Sequence, residues 1–380
     1  MPHRPERSTA RPAVYRSNPG YRPVVLDRLP SAERDSLSRA HDGSELYGAL
    51  VPREGSGLVM RALSFESALL FMALAEPGPL PDFAAARMGE RSSTLRRLIL
   101  DGVLQVSRQD EFICGPEYFE AQSGPVASGE RVYALSMAAL RYAQHLESVP
   151  EDQLAQRLYG YGRLPMSARR RRMLPDRASV AALLGVGEVT RGLASTGWTA
   201  GEDEHWYHWF PPAPDGRRLS PRYKLYVSPG IEDAGAALAS VARVRSCLGF
   251  KAAAGVAGIC RPDRIVLYFA GTEDLTAAAD TLRVHLAPLT AAGVSFTAAV
   301  TDDGMLSWGA DPPRADGGGT RATSWRMFLC QRLAHYLVVA REARAPEPWR
   351  FAVERLRLSG IDTVAWTPSA HSWATALETG

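Results

Sequence analysis

The amino-acid sequence predicts an α+β protein: an N-terminal winged-helix-like and helical region followed by a ferredoxin-like βαββαβ sheet with a C-terminal helix. Three observations carry this prediction. Three helical patterns and two short strands succeed one another over residues 60–120, amphipathic helices fill residues 130–200, and residues 221–300 alternate as βαββαβ. With 46% hydrophobic and 22% charged residues, the chain has the composition of a folded protein with a large core.

The sequence divides into five expected segments. Residues 1–58 are polar and interrupted by Pro and Gly, which predicts a flexible N-terminal arm. The winged-helix-like segment follows over residues 59–125, and a helical region over residues 126–200. Residues 201–345 contain the βαββαβ domain with its final helix, and residues 346–380 form a C-terminal extension.

The winged-helix-like segment begins with the helix SFESALLFMALAE, which Ser64 caps, and its third helix ends at Gly102. VLQVSRQDEFICG then predicts two strands around a polar turn, the wing. Such a segment binds DNA, holds a leader peptide along its wing, or serves only as a packing module. The third helix carries only Arg96 and Arg97 as basic residues, and the negative charge of Asp101 opposes them. This is little positive charge for a helix that reads DNA.

Two stretches farther along are dense in polar and aromatic side chains. Four consecutive arginines occupy residues 169–172, and such a run either holds a phosphate or an acidic leader peptide or is a solvated helix end. Residues 205–210, HWYHWF, form an aromatic strip before a double Pro. The strip is typical of a substrate-binding edge and equally of a surface that packs two domains together.

The sequence argues against several classes of protein. Its four cysteines form no C-x-x-C pair and have no His at ligand spacing, so we expect buried free thiols and no metal. The chain shows neither a signal-peptide h-region nor an apolar run of ~18 residues, so we expect a cytoplasmic protein without a membrane partner. The net charge of +3 argues against nucleic acid, and no P-loop or G-x-G-x-x-G indicates a cofactor.

Lysine is scarce in this chain. Of the 44 Lys and Arg residues only Lys224 and Lys251 are lysines, which leaves 44 − 2 = 42 arginines. A GC-rich coding bias replaces surface Lys by Arg, but Arg cannot serve where chemistry needs an amine that loses its proton. The two lysines are therefore either remnants of the bias or functional residues.

Strand periodicity places both lysines on one face of the predicted sheet. Side chains alternate between the two faces of a strand, so Lys224 and Tyr226 of the first strand point away from the helices. By the same rule Lys251 of the second strand and Arg264 and Tyr268 of the third point the same way. Because helices cover one face of such a sheet, we expect this second face to be open.

The side chains of opposite parity, such as Leu225 and Leu267, are expected to face the helices. VSFTAAVT is the predicted fourth strand, with Phe296 turned inward and Ser295 and Thr297 turned outward.

A basic, aromatic-lined face without carboxylates suits an anionic substrate. A lysine amine that is partly desolvated or near other cations has a lowered pKa and can remove a Cα proton. Lys251 or Lys224 is therefore the expected base of a lyase that eliminates phosphate from a phosphorylated residue. Tyr268 or His208 is the expected proton donor.

Arginines bind and neutralise a leaving phosphate because their guanidinium groups match its oxygens. Arg222, Arg264 and Arg326 are the candidates for this role.

The region from WYHWF through RYKLYVS, GFKAAAGV, RPDRIVLYF, VSFTAAVTDDGMLSWGADPP and TSWRMFLCQRLAHYL resembles the HopA-type effector family. The resemblance covers roughly residues 205–340 and consists of element order and a few spaced residues. The sequence departs from the family pattern at Lys224, where an Arg is expected. It also departs at Trp325 and Arg326, where a Phe-Gly pair would follow the Ser.

The resemblance implies a function in the biosynthesis of ribosomally made, lanthipeptide-like peptides. Relatives of the family in such pathways are implied to act as phospho-Ser/Thr lyases that make dehydroalanine or dehydrobutyrine. The implied partners are a precursor peptide, with its leader and phosphorylated core, and a separate kinase-like protein.

Two further functions remain open at this point. The first alternative is a non-catalytic partner or scaffold that binds the leader peptide in such a maturation complex. Tyr226 and Tyr268 on the two central strands also resemble the aromatics of an RNA-recognition fold, although DRIVLYF lacks the glycine and the aromatic series of that fold.

Overall fold

The computed structural model describes residues 13–40, 46–54, 56, 58, 60–88, 93–108, 111–115, 117–119, 131–146, 149–212, 220–312 and 324–368. The chain separates into two compact units, Met1–Gln122 and Ser123–Gly380. Residues 1–12 of the expected arm and residues 369–380 of the expected C-terminal extension lie outside the described residues.

The first unit contains two antiparallel three-stranded sheets, ordered β1-β5-β6 and β2-β3-β4. Their strands are β1 Tyr15–Ser17, β2 Tyr21–Val25, β3 Gly48–Pro52, β4 Arg61–Leu63, β5 Leu104–Arg108 and β6 Glu111–Ile113. The helices are α1 Ser31–Ala40, α2 Phe65–Ala73, α3 Asp82–Met88 and α4 Ser93–Leu100.

Helices α2, α3 and α4 and the β5–β6 hairpin follow one another in the order that the winged-helix-like pattern predicts. The side chain of Ser64 accepts a hydrogen bond from the amide of Ser67 and so caps α2. Gly102 takes a left-handed φ of 73° just after α4, a conformation that a glycine adopts without strain. The sheet of the hairpin also includes β1.

The described part of residues 1–58 is not a flexible arm, because it forms β1, β2, α1 and β3. Tyr15 and Tyr21 anchor it, since both are buried in the same cluster as Leu50 and Leu104. Short strands interrupted by Pro and Gly show little periodicity, and their burial depends on partners that are distant in the sequence.

The second unit contains a seven-stranded sheet and a layer of helices. Its strands are β7 Thr199–Glu202, β8 Trp206–Phe210, β9 Tyr223–Val227, β10 Gly249–Ala253, β11 Ile265–Phe269, β12 Ala298–Ala299 and β13 Leu306–Ala310, and a hairpin of β14 Ile361–Asp362 and β15 Thr367–Pro368 follows. Its helices are α5 Arg131–Ala143, α6 Glu151–Tyr159, α7 Ala168–Met173, α8 Arg177–Leu184, α9 Val186–Ala194, α10 Ala234–Val241, α11 Gly255–Ile259, α12 Thr272–Leu286, α13 Trp325–Glu342 and α14 Pro348–Leu358.

The strand order of this sheet is β12-β13-β9-β11-β10-β8-β7, and every neighbouring pair is antiparallel. One face packs on α10 and α12 and forms the main core. Leu225, Phe250 and Leu267 meet Leu238 and Leu282 there. These strand residues are among those that the alternation of side chains directs toward the helices.

The strand predicted over VSFTAAVT is wrong. Only Ala298–Ala299 of this segment is β-structure, and the strand that pairs with β9 is Leu306–Ala310. Phe296 has a φ of 60°, which is incompatible with an extended strand. Its ring packs edge-on against Trp366 with the centroids 5.1 Å apart, so its burial comes from a turn and not from strand alternation.

The second face of the sheet is only partly open. Val294 packs against Tyr226 and Val266, which are all buried. Ser295 and Thr297, expected to point outward, are also buried. The segment around Val294 thus covers Tyr226 and Val266 on this face, whereas Lys251 on the same face stays half-buried.

The four cysteines form no disulfide with one another, and Cys247, Cys260 and Cys330 are buried whereas Cys114 is half-buried. In the part of the chain that the structure describes, every helix is too short or too polar to cross a bilayer.

Gly235 of α10 provides a test of the helix packing. A Cβ at this position would overlap the carbonyl oxygen of Leu183 in α8, so Gly235→Ala should lower the free energy of unfolding by about 1–3 kcal/mol. Gly192→Ala in α9 is the matched control, because its Cβ would meet nothing within 4 Å and should stabilise by up to about 1 kcal/mol. Denaturant midpoints measure both changes, and equal effects would contradict the close approach of α8 and α10.

Candidate active site

Four predicted residues lie on the accessible part of the second sheet face. Lys251 of β10 is paired across the sheet with His208 of β8, and Tyr268 of β11 is paired with Lys224 of β9. Directly paired residues point to the same face, so the pairing places the two lysines, the tyrosine and the histidine side by side. All four side chains are half-buried.

The amine of Lys251 lies between two aromatic rings. Its Nζ is 3.7 Å from the ring centroid of Trp206 and 5.9 Å from that of Tyr268. The pKa of Lys251 is lowered to about 8, chiefly by burial and also by the positive charges of Lys224 and Arg261. The carboxylates of Asp263 and Asp203 act in the opposite direction.

Lys224 is held from two sides. Its Nζ forms an ion pair of 2.5 Å with Asp311 Oδ2, just beyond β13, and lies 5.9 Å from the centroid of Tyr268. Burial, with the negative charge of Asp311, raises the pKa of Tyr268 above its usual range. The phenol of Tyr268 therefore keeps its proton. It can donate a hydrogen bond to a substrate that lies near the amines of Lys224 and Lys251.

His208 is oriented by the turn before its own strand. Its Nε2 lies 2.9 Å from Asp203 Oδ2, and its ring stacks on Phe210 at a centroid distance of 6.0 Å. The hydrogen bond to His208 lowers the pKa of Asp203 to about 2. The carboxylate fixes the orientation of the His208 ring on the same sheet face as Lys251.

The face is not free of carboxylates, contrary to the expectation from the sequence. Asp263, just before β11, is 3% exposed and accepts hydrogen bonds from Arg261 Nε at 2.9 Å and Arg261 Nη2 at 3.0 Å. Arg261 lies 5.1 Å from the ring centroid of Trp206, so Lys251 and Arg261 share one indole ring. The sequence RPDR indicates that Arg261 and Asp263 are close together. The spacing alone does not show that both charges also act on Lys251.

The three arginines predicted to bind phosphate occupy three different environments. Arg222, just before β9, is exposed. Arg264 is fully buried and donates from Nε to the carbonyl of Arg261. Arg326 is also fully buried and forms a 2.9 Å ion pair with Asp263 Oδ2. Strand alternation predicted an outward Arg264, but it precedes β11, and Asp263 occupies the site side instead.

The arrangement can bind an anion and exchange protons. Lys224 and Arg261 are fixed by ion pairs, the phenol of Tyr268 holds a donatable proton, and Lys251 has a pKa that lets it lose one near neutral pH. Among the described residues there is no group of three or more His, Cys, Asp or Glu side chains placed to hold a metal ion.

Solved structures of two effector proteins are similar to this chain. The effector of Pseudomonas syringae pv. syringae strain 61 is 12% identical over 64% of this chain and 99% of its own, with a TM-score of 0.40. That of Pseudomonas syringae pv. tomato strain DC3000 is 13% identical over 63% of this chain and 97% of its own, with a TM-score of 0.39.

A structure of a Chromobacterium violaceum phosphothreonine lyase effector is 12% identical over 41% of this chain and 77% of its own, with a TM-score of 0.26. No protein-family model and no curated protein matches the sequence. Similarity at these identities and TM-scores does not assign the chain to a family or an activity.

The scarcity of lysine makes the amine of Lys251 directly measurable. Labelling with ¹³C at lysine Cε gives signals from two side chains, and Lys224→Arg identifies which belongs to Lys251. We expect the Lys251 signal to titrate near pH 8, because burial disfavours the charged amine. A Lys251 signal that titrates at the usual value of about 10.4 would contradict this half-buried, cation-rich environment.

Proposed function

We propose that the chain is a phosphoserine/phosphothreonine lyase that eliminates phosphate from a peptide to leave a dehydroamino acid. The observation that supports it best is the convergence of Lys251, with its lowered pKa, and the cations Lys224 and Arg261 around Tyr268 and Trp206. An amine base next to fixed cations is the combination that β-elimination of phosphate requires.

Lys251 acts as the base in this proposal. Its neutral amine removes the proton from Cα of the phosphorylated residue, and the electron pair of the broken C–H bond forms the Cα=Cβ double bond. The Cβ–O bond breaks at the same time, and its electrons leave with the phosphate oxygen. No oxidant, reductant or cofactor is needed for this balance.

The leaving phosphate is received by the cations of the same face. Lys224 pairs with Asp311 and Arg261 pairs with Asp263, and these ion pairs hold both side chains in place for an anion. Arg222, exposed at the start of β9, adds a third charge at the rim. His208 or Tyr268 donates a proton to the departing oxygen.

Substitutions of the two lysines test these roles. Lys251→Ala and Lys251→Arg should both lower kcat by about 10²–10⁴-fold, because neither side chain can accept the Cα proton. Lys224→Ala should mainly raise KM, by about tenfold, and Lys224→Arg should restore binding because it keeps the charge. Phosphate release from a phosphopeptide is the measurement, and Arg283→Ala, on the exposed side of α12, is the control.

The pH profile provides a second readout of the same assay. A base must be deprotonated to act, so kcat should rise as the pH increases through about 8 and then level off. Full activity of Lys251→Arg, or a wild-type protein that releases no phosphate, would refute the lyase proposal.

We further propose that the substrate is a ribosomally made, lanthipeptide-like precursor, phosphorylated by a separate kinase-like protein and held by its leader peptide at the β5–β6 wing. β6 is the outer strand of its sheet, and an edge strand can pair with an extended peptide. The resemblance of the sequence to the HopA-type family is the support for this context.

Phe112 of β6 is the position at which to test leader binding. The guanidinium of Arg16 lies 4.1 Å from its ring centroid, so Phe112→Ala removes an aromatic surface from the wing. Deleting the wing is unsuitable, because Leu104 is fully buried and its loss would unfold the unit. We expect at least about a tenfold loss of affinity for a fluorescent leader peptide. Unchanged affinity would refute leader binding at the wing.

The burial of Arg264 and Arg326 favours a second function, that of a non-catalytic peptide-binding partner in the same pathway. Of the three arginines predicted to bind phosphate, Arg264 and Arg326 are fully buried inside the protein. A protein that binds a phosphopeptide but leaves its phosphate in place would have this second function.

A further inference from the structure

We propose that Asp263 is a positioning residue, which with Tyr159 and Arg326 fixes the guanidinium of Arg261 beside Lys251. This inference rests on the proposed lyase function for its kinetic part, whereas its effect on the Lys251 amine does not depend on that function. It assigns a role to a buried carboxylate that the elimination chemistry itself does not use.

Asp263 is bound on both of its oxygens. Oδ1 accepts from Arg261 Nε at 2.9 Å. Oδ2 accepts from Arg261 Nη2 and from the Tyr159 hydroxyl, both at 3.0 Å, and pairs with Arg326 Nη1 at 2.9 Å. A carboxylate with this many partners has one orientation, and so does the two-point contact that it makes with Arg261.

Tyr159 and Arg326 anchor the carboxylate to the helical layer. Arg326, at the start of α13, donates from Nη2 to the carbonyl of Tyr159 at 2.7 Å and from Nε to that of Ser295 at 3.1 Å. Its guanidinium lies 4.4 Å from the ring centroid of Tyr159, the last residue of α6. Burial raises the pKa of Tyr159 to about 12, so its hydroxyl remains a donor.

The guanidinium of Arg261 is held in one orientation beside Lys251. Its Nε and Nη2 are both engaged by Asp263, and its Nη1 makes no hydrogen bond to the described residues. Its side chain is 29% exposed, so this nitrogen is the part of the group that can meet an anion. Because Arg261 and Lys251 both lie within about 5 Å of the Trp206 ring centroid, at 5.1 Å and 3.7 Å, the position of one guanidinium bears on the neighbouring amine.

Asp263 also sets the charge balance at Lys251. Lys224 and Arg261 disfavour the protonated amine, and Asp263 and the more distant Asp203 favour it. Tyr268 and His208 complete the set of titratable groups that face this amine. Replacing the Asp263 carboxylate by a neutral amide removes the anion with the largest effect, so the amine should lose its proton at a lower pH.

Asp263→Asn and the milder Tyr159→Phe test the proposal. Asp263→Asn should raise KM for a phosphopeptide about tenfold, because Arg261 loses one of its two carboxylate contacts. Tyr159→Phe should raise it about threefold, because the Tyr159 hydroxyl also accepts a hydrogen bond from Arg261 Nη2 at 3.3 Å. Combined with Arg261→Ala, either change should add no further increase in KM, since both act through the same guanidinium. Asp280→Asn, which removes an exposed ion pair to Arg283, is the matched control and should change nothing.

The ¹³Cε signal of Lys251 gives a readout without turnover. In Asp263→Asn it should titrate at a lower pH than in the wild type, and in Asp280→Asn at the same pH. If Asp263→Asn only lowers the melting temperature, with KM and the Lys251 titration unchanged, the carboxylate is merely structural and the proposal is overturned. An additive effect of Tyr159→Phe and Arg261→Ala on KM would overturn it as well. If the wild type releases no phosphate, the lyase function fails, and the titration alone decides the role of Asp263.

Discussion

The ion pairs of the buried Asp263 carboxylate with Arg261 and Arg326 are the interactions on which the site of the second unit depends. A charge that is 3% exposed is tolerated only with partners, and Asp263 has Arg326 on the helical side and Arg261 on the open side. Arg326 in turn connects α13 to the carbonyl groups of Tyr159 and Ser295. One carboxylate therefore joins Arg261, beside the sheet, to Tyr159 of α6 and Arg326 of α13.

The partial burial of Lys251 determines what its amine can do. The side chain is buried enough for its pKa to fall and exposed enough to meet a substrate. Full burial would leave an amine that no substrate reaches, and full exposure would leave it protonated at neutral pH. The ring of Trp206 supplies part of this partial burial, and a cation over an indole is favoured in its charged form, which limits how far the pKa falls.

Side-chain alternation predicted which strand residues meet, because it depends only on the two-residue period of a strand. It placed Lys251 and Tyr268 on one face and Leu225 on the other, as the structure does. It failed where the backbone departs from a strand, as at Phe296, whose φ is positive. Sequence also could not show that Arg326 is neutralised inside the protein, because its partner Asp263 lies far away along the chain.

The scarcity of lysine can be compared with the surroundings of each lysine. In a chain with 42 arginines, arginine could replace Lys224 or Lys251 if the side chain only had to carry a positive charge. At Lys224 this holds, because an ion pair with Asp311 needs a cation and nothing more. At Lys251 it does not hold, because a guanidinium stays protonated and could not act as a base near neutral pH. The two lysines therefore share a face but differ in what each position requires: position 224 requires a cation to pair with Asp311, and position 251 requires an amine that can be neutral.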